Sequence, residues 1–98
     1  MLAFPGGFVD NGEDPEESVI RELKEECGID GEVVKILCVR GKPTRDPRGH
    51  VVSLAYLVTA NGTPTAGDDA ASANWYKISE INEMAGDHLS ILNQVDQF

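Results

Sequence analysis

Glu22, Glu25 and Glu26 stand at i, i+3 and i+4 of a segment that reads as a helix, which gathers three carboxylates on one face. Like charges at that spacing cost roughly 0.2–0.5 kcal/mol per pair. A hard divalent cation removes the cost, and carboxylate oxygen, water and phosphate are the usual surroundings of Mg²⁺. For an arbitrary Glu-rich helix a solvated acidic face is the commoner outcome. Here the upstream segment Phe4-Pro5-Gly6-Gly7-Phe8-Val9 is an apolar turn whose two glycines let backbone approach a ligand closely and lend a carbonyl oxygen. That turn shifts the balance toward a metal site.

The element that must position these carboxylates begins at about Asp14. Asp14 is a good N-cap, Pro15 suits the first helical position, and Glu17 lies three residues after the cap, where a capping-box carboxylate reaches back. Val19, Ile20, Leu23 and Cys27 then recur at three- and four-residue spacing and form an apolar stripe away from the acids. Gly28 supplies a left-handed stop.

Written out, Gly7, five residues, Glu13, seven residues and Arg21-Glu22-Leu23-Lys24-Glu25-Glu26-Cys27-Gly28-Ile29 match G-x5-E-x7-R-E-U-x-E-E-x-G-U, with U aliphatic, at every specified position. This resembles the Nudix box. The resemblance implies an α/β (α+β) fold, an α/β/α sandwich around a mixed β-sheet, and a Mg²⁺-dependent hydrolase of nucleoside diphosphates linked to another group, with Mn²⁺ as the alternative ion. It implies metal ligands at Glu22, Glu25, Glu26 and the Gly6 carbonyl, and catalytic roles for Glu22 and Glu25. Glu13 and Arg21 are similar to the family's internal ion pair, a structural role.

Composition narrows the partners. Ninety-eight residues with 41% hydrophobic content make one small domain over residues 1–98, its core only just large enough for stability. A net charge of −9 argues against nucleic acid or an anionic membrane as a general partner. Yet Lys35, Arg40, Lys42, Arg45 and Arg48 cluster around a single acid, Asp46, so a local phosphate-facing patch is consistent with the sequence. No apolar run is long enough for a transmembrane helix and no signal peptide is visible. Cys27 and Cys38 lack metal-ligand spacing and read as buried reduced thiols, which suggests a cytoplasmic location.

Downstream, Glu32 to Val39 is rich in β-branched residues and His50 to Val58 is a nearly continuous apolar run, the pattern of a strand buried on both faces. Asn61-Gly62 ends it. Asn74 to Ile78, with Trp75 and Tyr76, reads as another short strand, Ser79 as the cap of a helix carrying Ile81 and Met84, and a last helix places Leu89, Leu92 and Val95 on one side. The start at Met1-Leu2-Ala3-Phe4 looks like the end of a strand, whereas the family's domain has one or more strands before the box. The expectation is therefore an N-terminally truncated Nudix domain, either a fragment or one completed by a partner, and an exposed sheet edge invites a homodimer.

The segment Thr44 to Tyr56, with Gly67-Asp68-Asp69-Ala70-Ala71, Trp75 and Asp87-His88-Leu89, is similar to Nudix proteins of the ADP-ribose pyrophosphatase type. That similarity implies a small-molecule nucleotide substrate, ADP-ribose cleaved to AMP and ribose 5-phosphate, with Phe4, Arg45 and Arg48 beside it; guanidinium forks hold phosphate oxygens in bidentate fashion. Arg48, beside Gly49, reads equally as a solvated turn residue, and His88 as a capping or packing residue. Asp69 is the nearest positional match to the family's additional catalytic carboxylate, with Asp68 the alternative. Two rivals stand beside catalysis: a Nudix-like module that binds its ligand without cleaving it, and an inactive scaffold.

Overall fold

Asp14 opens the first helix, α1 (Pro15–Cys27), in the computed structural model, which describes residues 2–65 and 72–95. The cap backbone is extended and the Asp14 Oδ1 accepts the Glu16 amide at 2.9 Å. Glu17 is exposed on the first turn and the Asp14 side chain does the capping. Gly28 closes the helix in the left-handed region (φ 69°) and donates its N–H to the Lys24 carbonyl, a conformation that is strained for any side-chain-bearing residue.

Two antiparallel strands follow, β1 (Gly31–Arg40) and β2 (Ser53–Ala60), paired from Gly31 opposite Ala60 to Arg40 opposite Ser53. The register slips between Val33 and Lys35 and again between Ile36 and Cys38, so β1 carries two bulged residues, Val34 and Leu37. Each bulge bends the strand and turns the following side chains to the other face. β2 begins three residues later than the apolar run suggests. The loop between the strands is folded on itself by turns from Lys42 to Arg45 and Asp46 to Gly49, and the Arg45 guanidinium takes the Val51 carbonyl at 3.2 Å, which withdraws that residue from the ladder.

α1 packs against both strands. Val34, Ile36, Val39, Val52 and Leu54 are all exposed, and no residue of β2 is fully buried among the described residues. The expectation that β2 is buried on both faces is thereby corrected: one helix layer covers one side of a two-stranded ribbon. The described sheet is antiparallel within an α/β fold.

Residues 74–78 correct a second expectation. They pair with no strand among the described residues, and the chain turns at Ile78 into a short 3-10 helix, η1 (Ile78–Glu80), leaving Trp75, Tyr76 and Ile78 exposed. Trp75 is anchored through its side chain, its indole N–H donating to the Gly62 carbonyl at 2.7 Å. The helix expected from Ser79 is confined to that single turn, although Met84 beyond it is buried. The last helix, α2 (His88–Leu92), buries Ile91 and Leu92, which with Ile29 and Met84 form the core. The N-terminal segment docks here, the Leu2 carbonyl accepting the Ala85 amide at 2.7 Å.

Helix and sheet meet most closely at Gly31. A Cβ there would lie 2.8 Å from Val58 Cγ1, 2.9 Å from Leu23 Cδ2 and 2.9 Å from the Thr59 carbonyl oxygen. Backbone cannot yield cheaply. Gly31→Ala is expected to destabilise the fold by about 1–3 kcal/mol, and Gly41→Ala, whose Cβ would meet only Val52 methyls at ordinary contact distance, to change it by less than about 0.5 kcal/mol. Thermal unfolding followed by circular dichroism compares the two.

Candidate active site

The loop from Phe4 to Glu13 is fastened to α1 by one guanidinium. Arg21 holds Glu13 through two parallel bonds, Nε to Oε2 at 2.8 Å and Nη2 to Oε1 at 3.0 Å, and also donates to the Phe8 carbonyl at 3.2 Å. On its other side Nη1 reaches Glu22 at 2.8 Å and Glu25 at 3.1 Å, and Asp10 lies 3.5 Å away. The Arg21 bonds, supplemented by the Asp10 amide, pull the Glu13 carboxyl down to about 2, and the same carboxylates hold the guanidinium firmly protonated. The expected ion pair is present. It is part of a wider hub that also gathers two of the box carboxylates.

The glycines receive the other side of the acidic face. The Gly6 amide donates to Glu26 Oε2 at 2.8 Å. Gly7 has no room for a side chain, because a Cβ would sit 2.5 Å from Glu22 Oε1 and 2.6 Å from its carboxyl carbon. Glu22 and Glu26 are thus both laid against the Gly6–Gly7 backbone, and Glu22 keeps only 14% side-chain exposure whereas Glu25, on the outer flank of Arg21, keeps 58%. No tight cluster of three metal-ligating side chains exists among the described residues. The donor chemistry still fits a hard cation: carboxylate oxygens on a fixed helix, opposed by glycine backbone that can add a carbonyl. Gly6, where an added Cβ would meet nothing within 4 Å, leaves the approach open.

The substrate-facing candidates separate. Arg48 pairs with Asp46 at 2.6 Å, lowering that carboxyl to about 2, and its guanidinium carbon lies 5.2 Å from the centre of the Phe8 ring, which brings it beside the box loop. Arg45 has other partners. Its Nε and Nη2 hold both oxygens of Asp87 at 2.7 and 2.9 Å, and Nη1 donates to the Val51 carbonyl and to Ser53 Oγ. Only 12% of its side chain is exposed, so the fork expected to face phosphate is committed to carboxylate and backbone. Asp87 is 42 residues from Arg45, a separation no local pattern reveals.

Phe4 stacks on His88, ring centres 5.1 Å apart and planes 16° from parallel, and its amide donates to His88 Nδ1 at 3.1 Å. His88 thus packs, as the sequence suggested, and its bond to the loop is a contact the sequence did not signal. Asp68 and Asp69 lie outside the described residues. Cys27 and Cys38 are free thiols, half-buried, and burial raises the Cys27 thiol further from ionisation. A cleft of about 620 Å³ opens along the apolar stripe of α1 between Leu23, Cys27, Ile29, Val58 and Trp75. Among the described residues no carboxylate lines it.

The Glu13 carboxyl titrates at about 2 in the fold against an ordinary 4.5. A lowered carboxyl contributes stability above its unfolded value that is lost as pH falls toward the folded one. The thermal midpoint should therefore fall steeply between pH 4.5 and 2, and Arg21→Ala should lower the midpoint at neutral pH, flatten that acid slope and reduce activity together. An Arg21→Ala chain that kept its midpoint and lost only turnover would refute the structural role.

The NUDIX domain model matches residues 1–95. The chain is 44% identical to the ADP-ribose pyrophosphatase of Methanocaldococcus jannaschii over 92 residues, 93% of this chain and 54% of that protein, so it spans about half the length of this relative. A shorter match, 61% identical over 28 residues, covers 29% of the chain and 22% of the 8-oxo-dGTP diphosphatase of Escherichia coli. Among solved structures it resembles the NUDIX domain of Shewanella oneidensis NrtR complexed with ADP ribose, at 27% identity and a TM-score of 0.77, over 95% of this chain and 64% of that one. It also resembles the MutT NUDIX hydrolase of Burkholderia pseudomallei, at 29% identity and a TM-score of 0.76, over 93% and 74%. With the family model matching residues 1–95 of the chain and a box complete at every specified position, the chain belongs to the Nudix family.

Proposed function

We propose that this chain hydrolyses the diphosphate linkage of ADP-ribose, giving AMP and ribose 5-phosphate, with Mg²⁺ or Mn²⁺ as cofactor. The observation that carries the reading is the seating of Glu22 and Glu26 against the Gly6–Gly7 backbone. The likeness along 93% of the chain to an ADP-ribose pyrophosphatase supports the choice of substrate over a nucleoside triphosphate, for which the match is confined to 28 residues. The free thiols suit a reducing compartment, and a cytoplasmic location belongs to the same reading.

Glu22, Glu26 and the Gly6 carbonyl would hold the cation, with Glu25 as a further ligand. A divalent ion held there would offset diphosphate charge and make a neighbouring water more acidic. The water oxygen attacks phosphorus, the bond from phosphorus to the bridging oxygen breaks, and the water proton passes to a carboxylate. Glu25 is the most exposed of the three carboxylates Glu22, Glu25 and Glu26 and is assigned that role, with Asp69 as the second candidate. Arg48 supplies a guanidinium beside the loop. Its side chain is 64% exposed while the Asp46 carboxylate keeps 11%, so a phosphate can reach the guanidinium from the solvent side while Asp46 stays bonded to the Arg48 amide. Phe4 borders the substrate, whereas Arg45 acts through Asp87 to hold the loop that carries it.

Glu22→Gln and Glu26→Gln should each lower turnover of ADP-ribose by at least about a hundredfold, since a lost metal ligand removes several kcal/mol of transition-state stabilisation. Circular dichroism should be unchanged. EDTA should abolish AMP release and Mg²⁺ restore it. Full activity in a folded Glu26→Gln chain would overturn the metal site, and faster cleavage of 8-oxo-dGTP or diadenosine polyphosphate than of ADP-ribose would overturn the substrate.

A further inference from the structure

His88 grips the strand of chain that leads into the box residues. Its Nδ1 accepts the Phe4 amide at 3.1 Å and its ring stacks on the Phe4 ring. Gly6, whose amide holds Glu26, follows two residues later. The next contact outward is as firm. Asp87 is clamped in bidentate fashion by Arg45, and Arg45 is fixed to the Val51 carbonyl and Ser53 Oγ at the start of β2. The Ala85 amide donates to the Leu2 carbonyl. The glycine loop is therefore held at both ends, by Arg21 on the α1 side and by the segment 85–88 on the other.

We propose that His88 is a positioning residue for the metal site: as a neutral imidazole accepting the Phe4 amide, it sets where the Gly6 backbone stands relative to Glu26. This rests on the metal-site reading given above. An acceptor at Nδ1 requires that the proton reside on Nε2, and a doubly protonated ring would set one donor against another. Burial favours the neutral ring. Asp87 opposes that preference and Arg45 reinforces it, and these are the charged groups facing the imidazole among the described residues. The Phe4 ring covers one face of the imidazole with apolar surface.

Two substitutions separate the acceptor from the ring. His88→Phe keeps an aromatic stack on Phe4 and removes the acceptor. His88→Asn puts an amide oxygen where Nδ1 stood and removes the ring. Mn²⁺ binding to the resting chain, read from the free-ion signal in electron paramagnetic resonance, reports the site without turnover. In His88→Phe the affinity should fall by about tenfold or more, the size seen when a group that orients a metal ligand is lost. In His88→Asn it should return to within about threefold of the parent. In activity assays the His88→Phe loss should appear in kcat at saturating metal rather than in KM for ADP-ribose. Equal Mn²⁺ affinity in parent and His88→Phe, or failure of His88→Asn to recover it, would overturn the proposal. If His88→Phe does not fold, amide hydrogen exchange decides, because an unprotected Phe4 amide in the parent chain is incompatible with the bond. Glu26→Gln is measured alongside. Loss of Mn²⁺ binding there with none in His88→Phe defeats the positioning role alone, and undiminished binding in Glu26→Gln defeats the metal site and this inference with it.

Discussion

Everything at this site depends on a single cation placed among acids. Arg21 is bonded to or within 4 Å of Asp10, Glu13, Glu22 and Glu25, in a chain whose net charge is −9. A lysine could neutralise the same charge but could not divide itself between partners in this way. The planar fork turns one edge to Glu13 and the remaining nitrogen to Glu22 and Glu25, so the loop and the helix are tied by the same group that quiets the acidic face. The Phe8 carbonyl completes the set and fixes the loop backbone immediately after the glycines.

That arrangement divides three similar carboxylates into different environments. Glu22 is wedged against Gly7, Glu26 is tethered to the Gly6 amide, and Glu25 stands in water. Helical spacing alone places all three on one face. What distinguishes them is the loop, which covers two and leaves the third exposed. A ligand pair held by backbone beside an exposed acid is a sensible division of labour for binding a cation and handling a water proton.

The parts legible in the sequence were those governed by neighbours within a few residues. Asp14 capping the Glu16 amide, Gly28 in the left-handed region and the acids at three- and four-residue spacing are local relations, and α1 lies where they put it. The Glu13–Arg21 pair spans eight residues and was legible through the box. Features set by distant partners were not. β2 starts late because Arg45 captures the Val51 carbonyl, and Arg45 is there because Asp87 holds it from 42 residues away. Trp75 and Tyr76 have strand propensity, but propensity makes no strand without a neighbouring ladder to bond, and Trp75 instead spends its indole N–H on Gly62. Two bulges in β1 likewise break the alternation on which a burial pattern read from sequence relies.

The two glycines of the loop are required for different reasons. Neither is among the glycines with positive φ, so conformational freedom does not explain them. At Gly7 the reason is steric and internal: the Glu22 carboxylate occupies the volume of a side chain, and any substitution would push that carboxylate off its seat. At Gly6 the space is empty, and a methyl group would project outward without touching the protein. On the proposed metal-site reading, a bare backbone there serves what arrives from outside. The box thus specifies Gly7 because the helix needs the room, whereas Gly6, which lies before the box begins, keeps the backbone accessible on the side from which a cation and its diphosphate would approach.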